Sequence, residues 1–209
     1  MTATLERTAV VERARRLNRL TIGWNLVEGV VAIAAGIAAG SVSLIGFGLD
    51  SGIEVSAALI LTWRLARERQ ADCKVADDRL AQRLVAGSFL LLTIYVGYQA
   101  TADLIAGSRP DVSPVGMVLA ALSLAVMPWL ARGKRRLAPA LGSRAAGAEA
   151  DQTMVCAALS AAVLIGLGAN ALFGWWWADP AAALAIAVAA GYMAYETWTA
   201  ESLEDTCCA

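Results

Sequence analysis

Asp50 and Glu54 lie four residues apart in a stretch that carries no other charge from Val42 to Trp63. On a helix that spacing puts both carboxyls on one face, one turn apart, where two side chains reach a single ion. A third acid, Glu28, interrupts the apolar run Leu20 to Ala39, four residues after Trp24. No Lys or Arg falls at the corresponding depth of any apolar run, so the pattern predicts no ion pair within the chain for these acids. Two chemistries answer that isolation: the carboxyls hold protons and hydrogen bonds, or they hold a cation for part of a cycle. One divalent ion or two protons leaves the pair equally neutral, which makes the two exchangeable.

A second set of donors follows further along the chain. Glu149, Gln152 and Cys156 stand at i, i+3 and i+7, one stripe of a helix, while the neighbouring Asp151 points off that stripe. Counting 1.5 Å per residue from the basic ends of their runs, Glu28 is about 12 Å and Glu54 about 13 Å deep; with the fifth helix beginning near Ser143, Gln152 is about 13 Å and Cys156 about 19 Å from its inner end. The chain contains no histidine, so the commonest general base and the commonest zinc ligand are absent. Any metal or proton chemistry runs on carboxylates, amides and thiols.

These residues need six helices to position them. Of the 209 residues, 58% are hydrophobic and 17% are charged, with a mean hydropathy of +0.58, a balance that excludes a water-soluble enzyme. A bilayer core needs about 20 apolar residues per helix, and six runs meet that requirement. They are Leu20 to Ala39, Val42 to Trp63, Leu84 to Ile105, Val115 to Ala131, Ala150 to Phe173 and Pro180 to Thr199. Gly40-Ser41, Ser108-Arg109-Pro110 with Ser113-Pro114, and Asp179-Pro180 punctuate them. The first run is too long for the core of a signal peptide and follows 19 polar or mixed residues.

The resulting expectation is an all-α, polytopic membrane protein with six transmembrane helices. Its parts are a cytosolic segment at 1–19, a transport domain at 20–200 and a short acidic, cysteine-bearing tail at 201–209. Of the 17 basic residues, all but Arg109 flank one side of the spans, which the positive-inside rule makes cytosolic. Both termini are then cytosolic, and Trp175-Trp176-Trp177 anchors the opposite interface. The basic residues are explained by orientation and anionic lipid, without nucleic acid. Cys73, Cys156, Cys207 and Cys208 read as free thiols in this setting. Glu204, Asp205, Cys207 and Cys208, with Glu201, form a candidate ion-collecting tail at the cytosolic mouth.

The spans, Ser43 followed by Asp50-x-x-x-Glu54, the run Ala148-Glu149-Ala150-Asp151-Gln152-x-x-x-Cys156, and Ala178-Asp179-Pro180 together resemble the cation diffusion facilitators. The resemblance covers about Leu20 to Ser202. It implies a homodimeric exchanger that exports zinc and related divalent metals from the cytosol against protons. Asp50 and Glu54 match the family's pair in the second span; Gln152 and Cys156 fall where the family places His and Asp in the fifth. Glu149 and Glu28 are the acids available to substitute. The chain stops where the family's cytosolic C-terminal domain would begin, so it reads as a short branch without that domain.

The leading expectation is therefore a proton-coupled divalent metal exporter in a bacterial plasma membrane, not an enzyme, with no tightly bound cofactor. Metal is held by Asp50, Glu54, Gln152, Cys156 and Glu149; Glu28 and Asp151 serve proton coupling or a secondary site. Thiol and carboxylate donors favour zinc, cadmium and cobalt over magnesium and calcium. Gly46, Gly48 and Gly52 allow close helix approach beside the pair. One alternative is a small organic-cation/proton antiporter using Glu28 beside Trp24. The other is a non-transporting membrane partner or scaffold, in which Asp50 and Glu54 are dispensable.

Overall fold

In the computed structural model, residues 2–67, 75–141 and 144–199 are described, with side chains at 10, 12–59, 83–139 and 150–199. They form six helices and, among the described residues, no strand: α1 (Thr2–Ala39), α2 (Val42–Arg67), α3 (Val75–Ala106), α4 (Pro114–Leu141), α5 (Arg144–Phe173) and α6 (Ala178–Thr199). Each contains a segment long and apolar enough to cross a bilayer. Cys73 and the acidic, thiol-bearing tail with Glu204, Asp205, Cys207 and Cys208 lie outside the described residues, as does the side chain of Glu149.

At the tryptophan end the helices stop where the turn residues say they should. Ser41 accepts the Leu44 N–H at 3.2 Å to start α2, and Ser113 accepts the Gly116 N–H at 3.2 Å to start α4, with Pro114 in the first turn. Gly40 and Gly174, with φ of 65° and 66°, take the left-handed conformation that closes α1 and α5. At the basic end the helices outrun the apolar runs: α1 begins at Thr2, and α4 continues through Pro128 and Pro139 to Leu141. Hydropathy marks what lipid demands, whereas Ala, Arg, Glu and Leu keep a helix going in water as well. The exposed Glu12–Arg16 pair, 2.5 Å apart one turn along α1, supports that extension.

The closest pairings are α1 with α2, α3 with α6, and α4 with α5. α2 also packs on α3, α5 and α6, and is the most enclosed of the spans. One apolar cluster joins Leu44, Phe47, Met127, Leu130, Val163 and Ile186; a second, built on Phe89, Val96, Ala183 and Ala187, joins α3 to α6. Large apolar side chains such as Leu91, Ile105, Val188 and Trp198 face outward, as a lipid-facing surface requires.

α1 and α2 meet almost backbone to backbone. A Cβ on Gly48 would stand 2.7 Å from the Ile33 side chain and 3.0 Å from the Gly29 carbonyl oxygen, so only glycine fits. Gly46 likewise lies against Val96, but Gly52 opens onto free space and makes no close approach. Two of the three glycines expected to bring helices together therefore do so.

Candidate metal centre

The α1–α2 contact sets the depth at which the acids meet. Glu28 on α1 and Asp50 and Glu54 on α2 are 0%, 5% and 1% exposed. The Ser51 hydroxyl lies 3.0 Å from Glu28 Oε2 and 3.1 Å from the Phe47 carbonyl oxygen, and shares its single proton between them. Trp24 and Ser123 also face Glu28, though neither the indole N–H nor the Ser123 hydroxyl closes a hydrogen bond. Glu28 Oε1 and both amide atoms of Asn25 are buried without partners, so this side of the bundle holds more polar capacity than the described residues satisfy.

α5 brings the second set of donors. Cys156 is buried and free, and the acids that face its thiol are Glu54, Asp50 and Glu28. Gln152, partly buried on the same helix, carries a buried Nε2 without a hydrogen-bond partner. Thr153 donates its hydroxyl to Glu54 Oε1 at 2.7 Å, leaving Glu54 Oε2 without a partner. Asp151 stays apart from these acids: it is exposed and ion-paired with Arg135. Its position off the Gln152–Cys156 stripe turns it to the α4 surface, where a basic side chain meets it.

The expectation that no basic residue reaches this level is corrected by Lys134. Placed by hydropathy beyond the fourth apolar run, it lies within α4, is 7% exposed, and donates to Thr153 Oγ1 at 3.1 Å. Lysine donates only and a threonine hydroxyl carries one proton, so the order Lys134 to Thr153 to Glu54 has a single direction. A signal for it existed: Ser123, Met127, Leu130 and Lys134 repeat at helical spacing and are all buried. Thr153 shares the Cys156 face at i and i+3 and was equally legible in principle.

Asp179 anchors a second buried polar cluster among the described residues. At the start of α6 it is buried and accepts hydroxyl bonds from Ser41 at 2.6 Å and Ser43 at 2.5 Å, with the Ser43 N–H at 3.4 Å. It ties the opening turns of α2 and α6 together at the tryptophan end, where Trp175 and Trp177 stack at 5.5 Å.

Among the described residues no three His, Cys, Asp or Glu side chains are gathered in ready-made metal-ligand geometry. The arrangement is instead two carboxyls one turn apart on α2, opposite a thiol and a hydroxyl on α5. Such a set offers a cation the unpartnered Glu54 Oε2, and Oε1 once Thr153 releases it.

Residues 78–201, more than half of the chain, match the family model for the cation efflux transmembrane domain. The chain belongs to the cation efflux family, the cation diffusion facilitators. The match takes in most of α3 and all of α4 to α6, with Lys134, Thr153, Cys156 and Asp179, while Glu28, Asp50 and Glu54 precede it. This facilitator is 28% identical over 180 residues to the magnetosome protein MamB of Magnetospira sp. (strain QH-2). The alignment covers 81% of the present chain and 58% of MamB, so the facilitator spans well under two thirds of that relative's length. Members of the family are transporters, not enzymes.

Proposed function

We propose that this facilitator exports divalent metal from the cytosol in exchange for protons, with zinc as the main cargo and cadmium and cobalt as companions. The observation that carries the reading is the buried pair Asp50 and Glu54 one turn apart on α2, facing the Cys156 thiol. Two carboxylates cancel a divalent charge, and a thiol shifts preference from magnesium and calcium toward zinc and cadmium. Gln152 and Glu149, both on α5, are the further donors. The tail residues Glu204, Asp205, Cys207 and Cys208 collect ions at the cytosolic mouth in this reading.

Glu28 carries a proton in the cycle. Its carboxyl is enclosed by Ser51, Ser123 and Trp24, whose hydroxyls and N–H suit a small proton-bearing group. The working unit is a homodimer in a bacterial plasma membrane, with both termini in the cytosol.

The test is metal-dependent proton flux in proteoliposomes, comparing zinc, cadmium, cobalt and manganese for wild type and Asp50→Ala. Flux with zinc that vanishes in the variant supports the proposal. No flux with any of the four metals, in vesicles of verified folding and orientation, overturns it and leaves the organic-cation antiporter and then the partner or scaffold reading.

A further inference from the structure

Lys134 is a cation already inside the protein. Burial of an ammonium costs several kcal/mol, which hydrogen bonds and opposite charge offset, and one of the bonds of Lys134 goes to Thr153. Its Nζ lies 3.1 Å from Thr153 Oγ1, which lies 2.7 Å from Glu54 Oε1. One hydroxyl therefore separates a fixed positive charge from one of the two carboxylates on α2. The hydroxyl occupies Oε1, and Oε2 stays buried and unpartnered.

We propose that Lys134 is a tethered counter-cation that, through Thr153, competes with the transported metal for Glu54 and so sets the affinity of the centre. The inference rests on the metal reading of Asp50 and Glu54. With no ion bound, the ammonium offsets part of the charge on the pair, so the empty centre does not hold two bare carboxylates. With a divalent ion bound, the same ammonium repels it. A unit charge about 7 Å from a divalent ion changes binding by roughly tenfold even at the dielectric constant of water, and by more inside a protein. An exporter gains from this, because an ion held too tightly by carboxylate and thiol is not released.

The experiment is zinc titration of the purified full chain in detergent micelles by calorimetry, with the zinc-induced rise in melting temperature as a second readout. Lys134→Met should bind zinc about tenfold tighter or more, and Lys134→Arg, which keeps the charge, should stay near wild type. Thr153→Val, which cuts the link, should shift affinity in the same direction as Lys134→Met, and the double variant should fall short of the sum. Lys134→Gln is read in the same way should Lys134→Met fail to fold. Unchanged or weaker zinc binding in the uncharged variants, with wild type binding normally, overturns this inference alone. A wild-type chain that binds no zinc overturns the metal reading and this inference with it.

Discussion

The Thr153 hydroxyl on α5 reaches 2.7 Å across the bundle to the Glu54 carboxylate on α2, and both side chains are shut away from solvent. Any ion that takes Oε1 has to displace that hydroxyl, so the bond is at once a clasp between two helices and a gate on a ligand.

As a clasp it has a measurable worth. Removing one partner of a buried hydrogen bond costs about 1–3 kcal/mol, so Thr153→Val should lower the melting temperature of the metal-free protein. Thr153→Ser, which keeps the hydroxyl, should restore most of the loss. Circular dichroism melts in detergent decide this, and equal stability of Thr153→Val would show that the bond contributes nothing net.

Metal affinity should fall as the solution is acidified, because protons and metal compete for the same carboxylates. Displacement of one or two protons corresponds to about a ten- to hundredfold loss per pH unit in the limiting regime. Glu28→Gln should leave zinc binding at Asp50 and Glu54 largely intact while uncoupling proton flux from zinc flux. Vesicles loaded with a pH dye, alongside a zinc-sensitive dye, separate the two fluxes; coupled flux persisting in the variant would remove Glu28 from the proton path.

At the opposite end of the bundle, Asp179→Ala leaves the hydroxyls of Ser41 and Ser43 without their shared acceptor. The expected cost is about 3 kcal/mol, seen as a lower melting temperature and poorer recovery of folded protein. Zinc affinity of the folded fraction should match wild type, since Asp179 opens α6 and the carboxylate pair lies further along α2. A loss of zinc binding without a loss of stability would instead place Asp179 in the ion path.

Gly48→Val drives a side chain into Ile33 and the Gly29 carbonyl. Separation of α1 from α2 should break the Ser51–Glu28 contact and lower stability, whereas Gly52→Ala, at a position open to free space, should be tolerated. Paired thermal melts of the two variants check the difference, and similar losses in both would point to helix propensity in place of close packing.

The six spans and the shared face of Asp50 and Glu54 were legible in the sequence for one physical reason. Lipid imposes a length of apolar chain, and a helix imposes a period, and both are properties of consecutive residues. The same reasoning placed Cys156 on one stripe with Glu149 and Gln152 and set Asp151 apart from it. It stopped at Lys134, because hydropathy sees a charge and ends the span, while the helix runs on and turns that side chain inward among Ser123, Met127 and Leu130.

What only the tertiary structure decided is which faces meet. Period and depth leave each helix free to rotate about its own axis. That freedom is removed by contacts between distant residues: Gly29 on Gly48, Ser43 on Asp179, Thr153 on Glu54. Those contacts pair Arg135 with Asp151 at the surface and leave Lys134 one hydroxyl from Glu54 inside. The sequence determined that carboxylates would lie within the membrane; the packing of α4 and α5 against α1 and α2 decided that a lysine would lie beside them.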